Sequence, residues 1–288
     1  MGHVIVRHTD PVGPGLEVIT EEAKQPEFPL DFGILRLGHG EGFESQPGTE
    51  RAILLMRGTV RFHWRSDSRE SRRECGRSNE LDGEPYVLHI PATDSARIES
   101  TDGTAELVIQ GRRNTNAFEP RLWEPGDYRS ERFGEGSMQD TATRTVRTVF
   151  DTSTAPQSSM VIGEVVNHPG KWSSYPPHSH AHPEIYYYRF FPGQGYGHAE
   201  CGDEVYKVRD RDTYIIPPEV AHSQCAAPGY AMYYVWGIPH LPGNRFGPDS
   251  RIFDPQHRWL SSADAPIWPD RPLSEIEEPL VERDNEIE

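Results

Sequence analysis

The amino-acid sequence predicts an all-β protein made of two barrels in tandem, and three observations carry that expectation. Glycine and proline, 26 of each in 288 residues, fall at short intervals between runs rich in β-branched and aromatic residues, which is how turns punctuate strands. No long apolar pattern at helical period occurs, so helix content should be low. The strand-like runs also fall into two sets, about 28–113 and about 144–239, each closing a strand at an Ile-Pro step, Ile90-Pro91 and Ile216-Pro217. Many short strands separated by turns point to sheets that close their own edges.

In chain order the first set contains runs at 32–37, 52–63, 86–90 and 105–110. The second contains 159–166, 184–191, 204–208, 213–216 and 230–238. A polar connector, 114–143, lies between them, and a charged insertion at 65–82 reads as a solvated hairpin loop. The expected organisation is therefore a first barrel over 1–130, a second over 131–270, and an acidic, loosely ordered tail over 271–288. From Ser274 onward seven acidic residues face only Arg283, with no apolar periodicity.

Charge narrows the function classes. With 29 Lys and Arg against 45 Asp and Glu, the formal net charge is −16, so no basic surplus exists to displace counterions from nucleic-acid phosphates. No stretch approaches the roughly 18 to 20 apolar residues that a membrane helix requires, and the opening MGHVIVRHTDP lacks a signal-peptide pattern. A cytoplasmic protein is the expectation. The three cysteines, Cys75, Cys201 and Cys225, contain no CxxC pair and are expected to be free thiols.

The chemistry concentrates in YPPHSHAHPEIYYYRFF, which starts at Tyr175. His178 and His180 are two apart, so on a strand both imidazoles leave the same face and can converge on one ion. Glu184, at a further even offset, would add a harder oxygen ligand. In DTYIIPPEVAHS an apolar strand ends at Pro217, and His222 follows five residues later, where a return strand would present it. His182 shares the phase of the first two histidines and competes with them, at a lower rank because it lies at the turn before Pro183. The first set offers no equivalent: IPATDSARI has alanine and arginine where the second has AHS.

This pairing of HxHxxxE with PxxxxH resembles the two metal motifs of the cupin superfamily, which implies a double-stranded β-helix, or jelly roll, and makes the whole chain a bicupin. Arg211 and Glu219 replace two glycines common in the second motif. The segments GKWSSYPPHSH, PEIYYYRF, the QGYG turn at Gln194 to Gly197, VRDRD at Val208 to Asp212 and APGYAMYYVWGIP resemble, in that order, the 5-deoxy-glucuronate isomerases of inositol catabolism. More distantly they resemble the 5-keto-4-deoxyuronate isomerases. Two departures bear on the pocket wall and on substrate choice: only AHP separates the histidine pair from the glutamate, and His198 and Ala199 stand where the family usually has an aromatic residue and glutamine.

The resemblance implies an aldose–ketose isomerase acting on a deoxy sugar acid, with one divalent ion, Zn, Mn, Fe or Ni, held by His178, His180, Glu184 and His222. Proton carriers would come from Tyr186, Tyr188, His198 or Glu204, and Arg189 would hold the substrate carboxylate by a forked pair of hydrogen bonds or else form a structural salt bridge. The expected partners are a small sugar acid and, from exposed β-edges, further copies of the chain. A metal-dependent dioxygenase and a non-catalytic sugar-binding bicupin use the same kind of barrel and remain the alternatives.

Overall fold

A computed structural model describes residues 4–7, 13–66 and 69–268; the acidic tail expected over 271–288 lies outside the described residues. The first half comprises β1 (Val4–Val6), β2 (Gly15–Thr20), β3 (Asp31–Leu37), β4 (Gly42–Ser45), β5 (Glu50–Ser66), β6 (Arg69–Arg77), β7 (Val87–Ile90), β8 (Ala96–Arg112) and β9 (Arg121–Trp123). The second half comprises β10 (Arg129–Phe133), β11 (Arg144–Phe150), β12 (Met160–Asn167), β13 (Trp172–Ser179), β14 (Glu184–Phe191), β15 (Tyr196–Cys201), β16 (Glu204–Arg209), β17 (Thr213–Ile216), β18 (His222–Ala226), β19 (Ala231–Pro239) and β20 (Ile252–Phe253). Among the described residues the only helices are three short 3-10 turns. None is long and apolar enough to cross a membrane.

The strands build the all-β architecture that the turn pattern predicts and the bicupin that the resemblance implies. In the first half an eight-stranded sheet runs β2-β3-β8-β5-β7-β9, with β4 on β8 and β6 on β5. Its long strands β5 and β8 bend, with register shifts between Leu55 and Val60, and so serve both faces of the roll. In the second half a seven-stranded sheet ordered β1-β17-β14-β19-β12-β11-β10 faces a five-stranded one ordered β16-β15-β18-β13-β20. The first described strand thus belongs by pairing to the second barrel, Val4 to Val6 lying opposite Ile215 to Thr213. The connector adds an edge strand at each end, β9 on β7 and β10 on β11. The charged insertion is a strand rather than a loop, because every residue of β6, Arg69–Arg77, pairs along the second half of β5.

Three apolar cores result. Leu35, Ile53, Phe62 and Leu107 fill the first barrel, while Tyr186, Tyr188, Tyr214 and Tyr234 fill the second. The third lies between them, where Phe32, Leu54 and Val108 of one barrel meet Tyr187, Tyr233 and Val235 of the other. The approach is close: a Cβ on Gly237 would come within 2.1 Å of Gln110 Oε1, so a larger residue there would have to displace the buried Gln110 side chain.

Buried charge laces the same interface. Glu164 on β12 accepts a forked pair from Arg77 at 2.9 and 3.0 Å, one bond from Arg147 at 2.6 Å and one from the Tyr233 hydroxyl at 2.7 Å. Arg77 and Glu164 are wholly buried, and removing one partner leaves the others as uncompensated charge. Nearby, Glu50 of the first barrel accepts from Asn114 Nδ2, from Ser159 N at 2.8 Å and from the hydroxyls of Ser158 and Ser159, and lies 2.6 Å from His89. Burial alone would raise the Glu50 carboxyl, but His89 and these donors together hold it down to about 2.

Glu164→Gln should therefore cost about 3 kcal/mol or more of unfolding free energy in urea titration; a change within error would show that the cluster does not fasten the barrels. The Glu50 carboxylate, depressed in the folded state, contributes stability that is complete above its ordinary value of 4.5 and is lost as pH falls toward 2. Wild type should accordingly lose more stability than Glu50→Gln between pH 5 and 3 when urea midpoints are compared, and parallel curves would refute that contribution.

Candidate metal centre and its cavity

The site is assembled where β13, β14 and β18 meet. β13 and β18 are antiparallel, Ser173 lies opposite Gln224 and His178 opposite His222, and a bulge on β13 takes up the extra residues between. His180 follows the end of β13, and its carbonyl is held at 2.7 Å by the Glu219 amide in the turn before β18. Glu184 opens β14 with its side chain buried in the second barrel.

One ring nitrogen from each of His178, His180 and His222 lies within 4.8 Å of the others. Glu184 Oε2 is 3.2 Å from His180 Nε2 and 3.3 Å from His222 Nε2. The donor chemistry fits a divalent ion. On each imidazole Nδ1 faces a backbone carbonyl: Pro176 at 3.5 Å, His182 at 2.8 Å and Val220 at 3.1 Å. That contact favours the proton on Nδ1 and turns the Nε2 lone pair to the centre, as in metal-bound histidines. His222 Nε2 is buried without a well-aligned hydrogen bond, as expected of an atom whose partner is a cation.

Electrostatics agree. Burial, and then the neighbouring His222, push His178 well below the ordinary histidine range, so the ring is neutral and can ligate. His182 turns away: its Nε2 lies 2.8 Å from the Asn244 carbonyl and its ring stands edge-on to Phe246.

A cavity of about 350 Å³ opens beside these groups, walled by Tyr186, Tyr234, Trp236, Phe246 and Phe253. The alternation of EIYYYRF places Tyr186 in this wall, its hydroxyl 3.4 Å from Ser174 Oγ. Tyr188, on the same face of β14, lies deeper in the barrel core and bonds Gln224 at 3.1 Å instead of lining the cavity. Arg189 leaves by the opposite face. It is buried between the barrels, 3.1 Å from Glu106 and 3.0 Å from Asp210, so the salt-bridge reading holds and its fork faces no substrate. His198 is exposed on the outer face of β15, and Glu204 is exposed at the start of β16, where it accepts from the Tyr206 hydroxyl. Neither lines the cavity. Sequence reasoning missed Tyr234, whose hydroxyl is 2.5 Å from Ser173 Oγ and whose phenol is pushed up to about 12, by burial first. The period-2 run AMYYVWGIP carried that signal.

The model of the KduI/IolB family matches residues 11–260. This chain belongs to the KduI/IolB family. Among its curated relatives the 5-deoxy-glucuronate isomerase of Geobacillus kaustophilus HTA426 is 30% identical over 255 residues, covering 82% of this chain and 88% of that protein. The protein of the same name from Bacillus subtilis 168 is 30% identical over 256 residues, covering 80% and 87%. In structure the chain is similar to an IolB-like protein from Salmonella typhimurium LT2, with TM-score 0.77, 22% identity and coverage of 90% and 99%. It is also similar to the oxalate decarboxylase of Lactobacillus farciminis, with TM-score 0.63, 12% identity and coverage of 88% and 87%. These two likenesses carry the bicupin fold.

Within this member of the KduI/IolB family, the two residues that stand where the motif resemblance expects glycine keep the glycine backbone. Arg211 has φ 69° and Glu219 has φ 65°, a region that costs a side-chain-bearing residue roughly 1–2 kcal/mol. Glu219→Gly should thus leave stability unchanged or raise it by about 1 kcal/mol, since relief of the strain is partly offset by the freer unfolded chain; a clear loss in thermal unfolding would contradict the strain. His180→Ala should reduce bound divalent metal from about one per chain to a small fraction, read by elemental analysis with circular dichroism confirming the fold. Full retention of metal in that variant would break the ligand set.

Proposed function

We propose that this chain is a metal-dependent aldose–ketose isomerase of a deoxy sugar acid, converting 5-deoxy-glucuronate to 5-dehydro-2-deoxy-gluconate. One observation carries the reading: three imidazoles converge, with a carboxylate against two of them, beside a cavity of about 350 Å³, in a family whose curated relatives are named 5-deoxy-glucuronate isomerase. His178, His180, Glu184 and His222 would hold one Zn, Mn, Fe or Ni ion, which ligand type alone does not distinguish. Bound there, a divalent ion supplies Lewis-acid stabilisation to the oxygens of an adjacent carbonyl and hydroxyl.

The chain's own residues do the rest. Moving a carbonyl from C1 to C2 of an open-chain sugar transfers one hydrogen from C2 to C1 and one from O2 to O1, so the reaction is redox-neutral and needs no oxidant. Negative charge gathers on those oxygens as the hydrogen passes from C2 to C1. The Tyr186 and Tyr234 hydroxyls, protonated at neutral pH like ordinary phenols, face the cavity as donors to that charge, and Tyr186 passes a proton to O1 and takes the O2 proton in return, so that it ends the turnover protonated. Ser173 and Ser174 orient the two phenols. The aromatic wall limits competing water.

Anaerobic incubation of the metal-loaded protein with 5-deoxy-glucuronate should move the carbonyl, seen by NMR, without oxygen uptake, and chelation should abolish turnover. Tyr186→Phe should lower kcat about 10²-fold with metal content unchanged. Oxygen consumption coupled to substrate loss, or absence of carbonyl migration by a metal-replete sample, would overturn the reading.

A further inference from the structure

The cavity wall carries three arginines, Arg129, Arg144 and Arg251, and their surroundings differ. Arg129 is already answered: it donates to Asp151 and lies 3.8 Å from Glu131, the two acidic side chains that line the cavity besides Glu184. Arg144, half-buried at the start of β11, donates once, to the Ala142 carbonyl at 2.8 Å, and its guanidinium lies 5.7 Å from the centre of the Phe133 ring. Arg251 is exposed at the rim. Among the described residues neither Arg144 nor Arg251 has an acidic partner, and the Arg251 side chain has no hydrogen bond. Each guanidinium has five N–H donors in a planar fork, so most of this donor capacity faces the cavity or its mouth unmatched.

Arg144 is also placed at a cost. Its charge is disfavoured by burial first and further by the like charge of Arg251. A partly buried cation crowded by a second cation is stabilised when an anion enters between them. Both positions are fixed relative to the metal ligands. β20, which follows directly on Arg251, pairs with β13 so that Phe253 lies opposite His178 and Ile252 opposite Ser179. Arg144 is anchored by β11, opposite Asn167 on one side and Phe133 on the other.

We infer that Arg144 and Arg251 form the clamp that holds the carboxylate of the substrate, in the role that Arg189 is too deeply engaged to fill; this rests on the sugar-acid reading given above. A carboxylate offers two oxygens in the geometry of a guanidinium fork, whereas a neutral sugar gives these two groups nothing to pair with. The clamp therefore selects an acid over the corresponding neutral sugar and fixes which end of the open chain meets the histidines.

Calorimetric titration of the metal-loaded full chain with D-glucuronate and with D-glucose tests the clamp apart from turnover. Wild type should bind glucuronate more tightly than glucose. Arg144→Gln should weaken glucuronate about 10- to 100-fold and leave glucose unchanged, and Arg144→Lys should recover part of the loss because it restores charge without the fork. Arg251→Gln, at an exposed site that puts folding at no risk, should weaken glucuronate by a smaller factor, about 2- to 10-fold. Metal content and thermal transition are measured on each variant. No preference for glucuronate in wild type, or an unchanged preference in folded Arg144→Gln and Arg251→Gln, overturns the clamp. Isomerisation of 5-deoxy-glucuronate by wild type is scored separately, so that an anion preference carried by Arg144 without turnover upholds the clamp and defeats the isomerase reading instead.

Discussion

The alternation of side chains along Glu184–Phe191 is the constraint on which the rest of the molecule depends. On one face Glu184, Tyr186, Tyr188 and Phe190 enter the second barrel, the first of them reaching the histidine cluster. On the other, Ile185 and Tyr187 enter the core between the barrels and Arg189 meets Glu106 of the first barrel. A strand has a period of two, so one register error would exchange these sets, sending a carboxylate into an apolar interface and taking it from the imidazoles. Ligand geometry and barrel docking are in this way two readings of a single pairing with β17 and β19.

The first barrel thereby acquires a physical role. It covers the odd-numbered face of β14 with Phe32, Ile34 and Leu54, and it supplies Glu106, whose burial would raise its carboxyl but which Arg189 and Arg36 hold down as the anion. Its long β6 strand ends in Arg77, which crosses to Glu164 in the other barrel. A charge cluster of this kind is weak as a source of net stability but exacting in geometry. It allows few relative positions of the two barrels, and so keeps the sheet behind the cavity in one arrangement.

Much of this is legible in the amino-acid sequence wherever a pattern is local. The strands Glu184–Phe191 and Thr213–Ile216 stand out as dense β-branched and aromatic runs, and the ligand quartet stands out because HxH on a strand and a histidine five residues past a proline each have a geometric meaning. The strands that carry two of those histidines are less visible. Trp172–Ser179 and His222–Ala226 are polar or proline-bearing, and their pairing to each other and to β20 and β15 makes them strands. The insertion at 65–82 reads as a loop for the same reason, since Arg, Glu and Ser on β6 follow β5 and not an intrinsic preference. Assigning Arg189 to substrate fails because charge on a strand does not reveal which face it will occupy, and the acids that claim it, Glu106 and Asp210, are distant in sequence.

The pairing of Val4–Val6 with Ile215, Tyr214 and Thr213 has a practical corollary. It makes the amino-terminal strand an edge of the very sheet whose next two strands are β17 and the glutamate-bearing β14. The halves are therefore interlaced and not merely adjacent, and excising the half that holds the histidine cluster as an autonomous unit would strip a neighbour from β17 and bare its backbone amides and carbonyls to self-association.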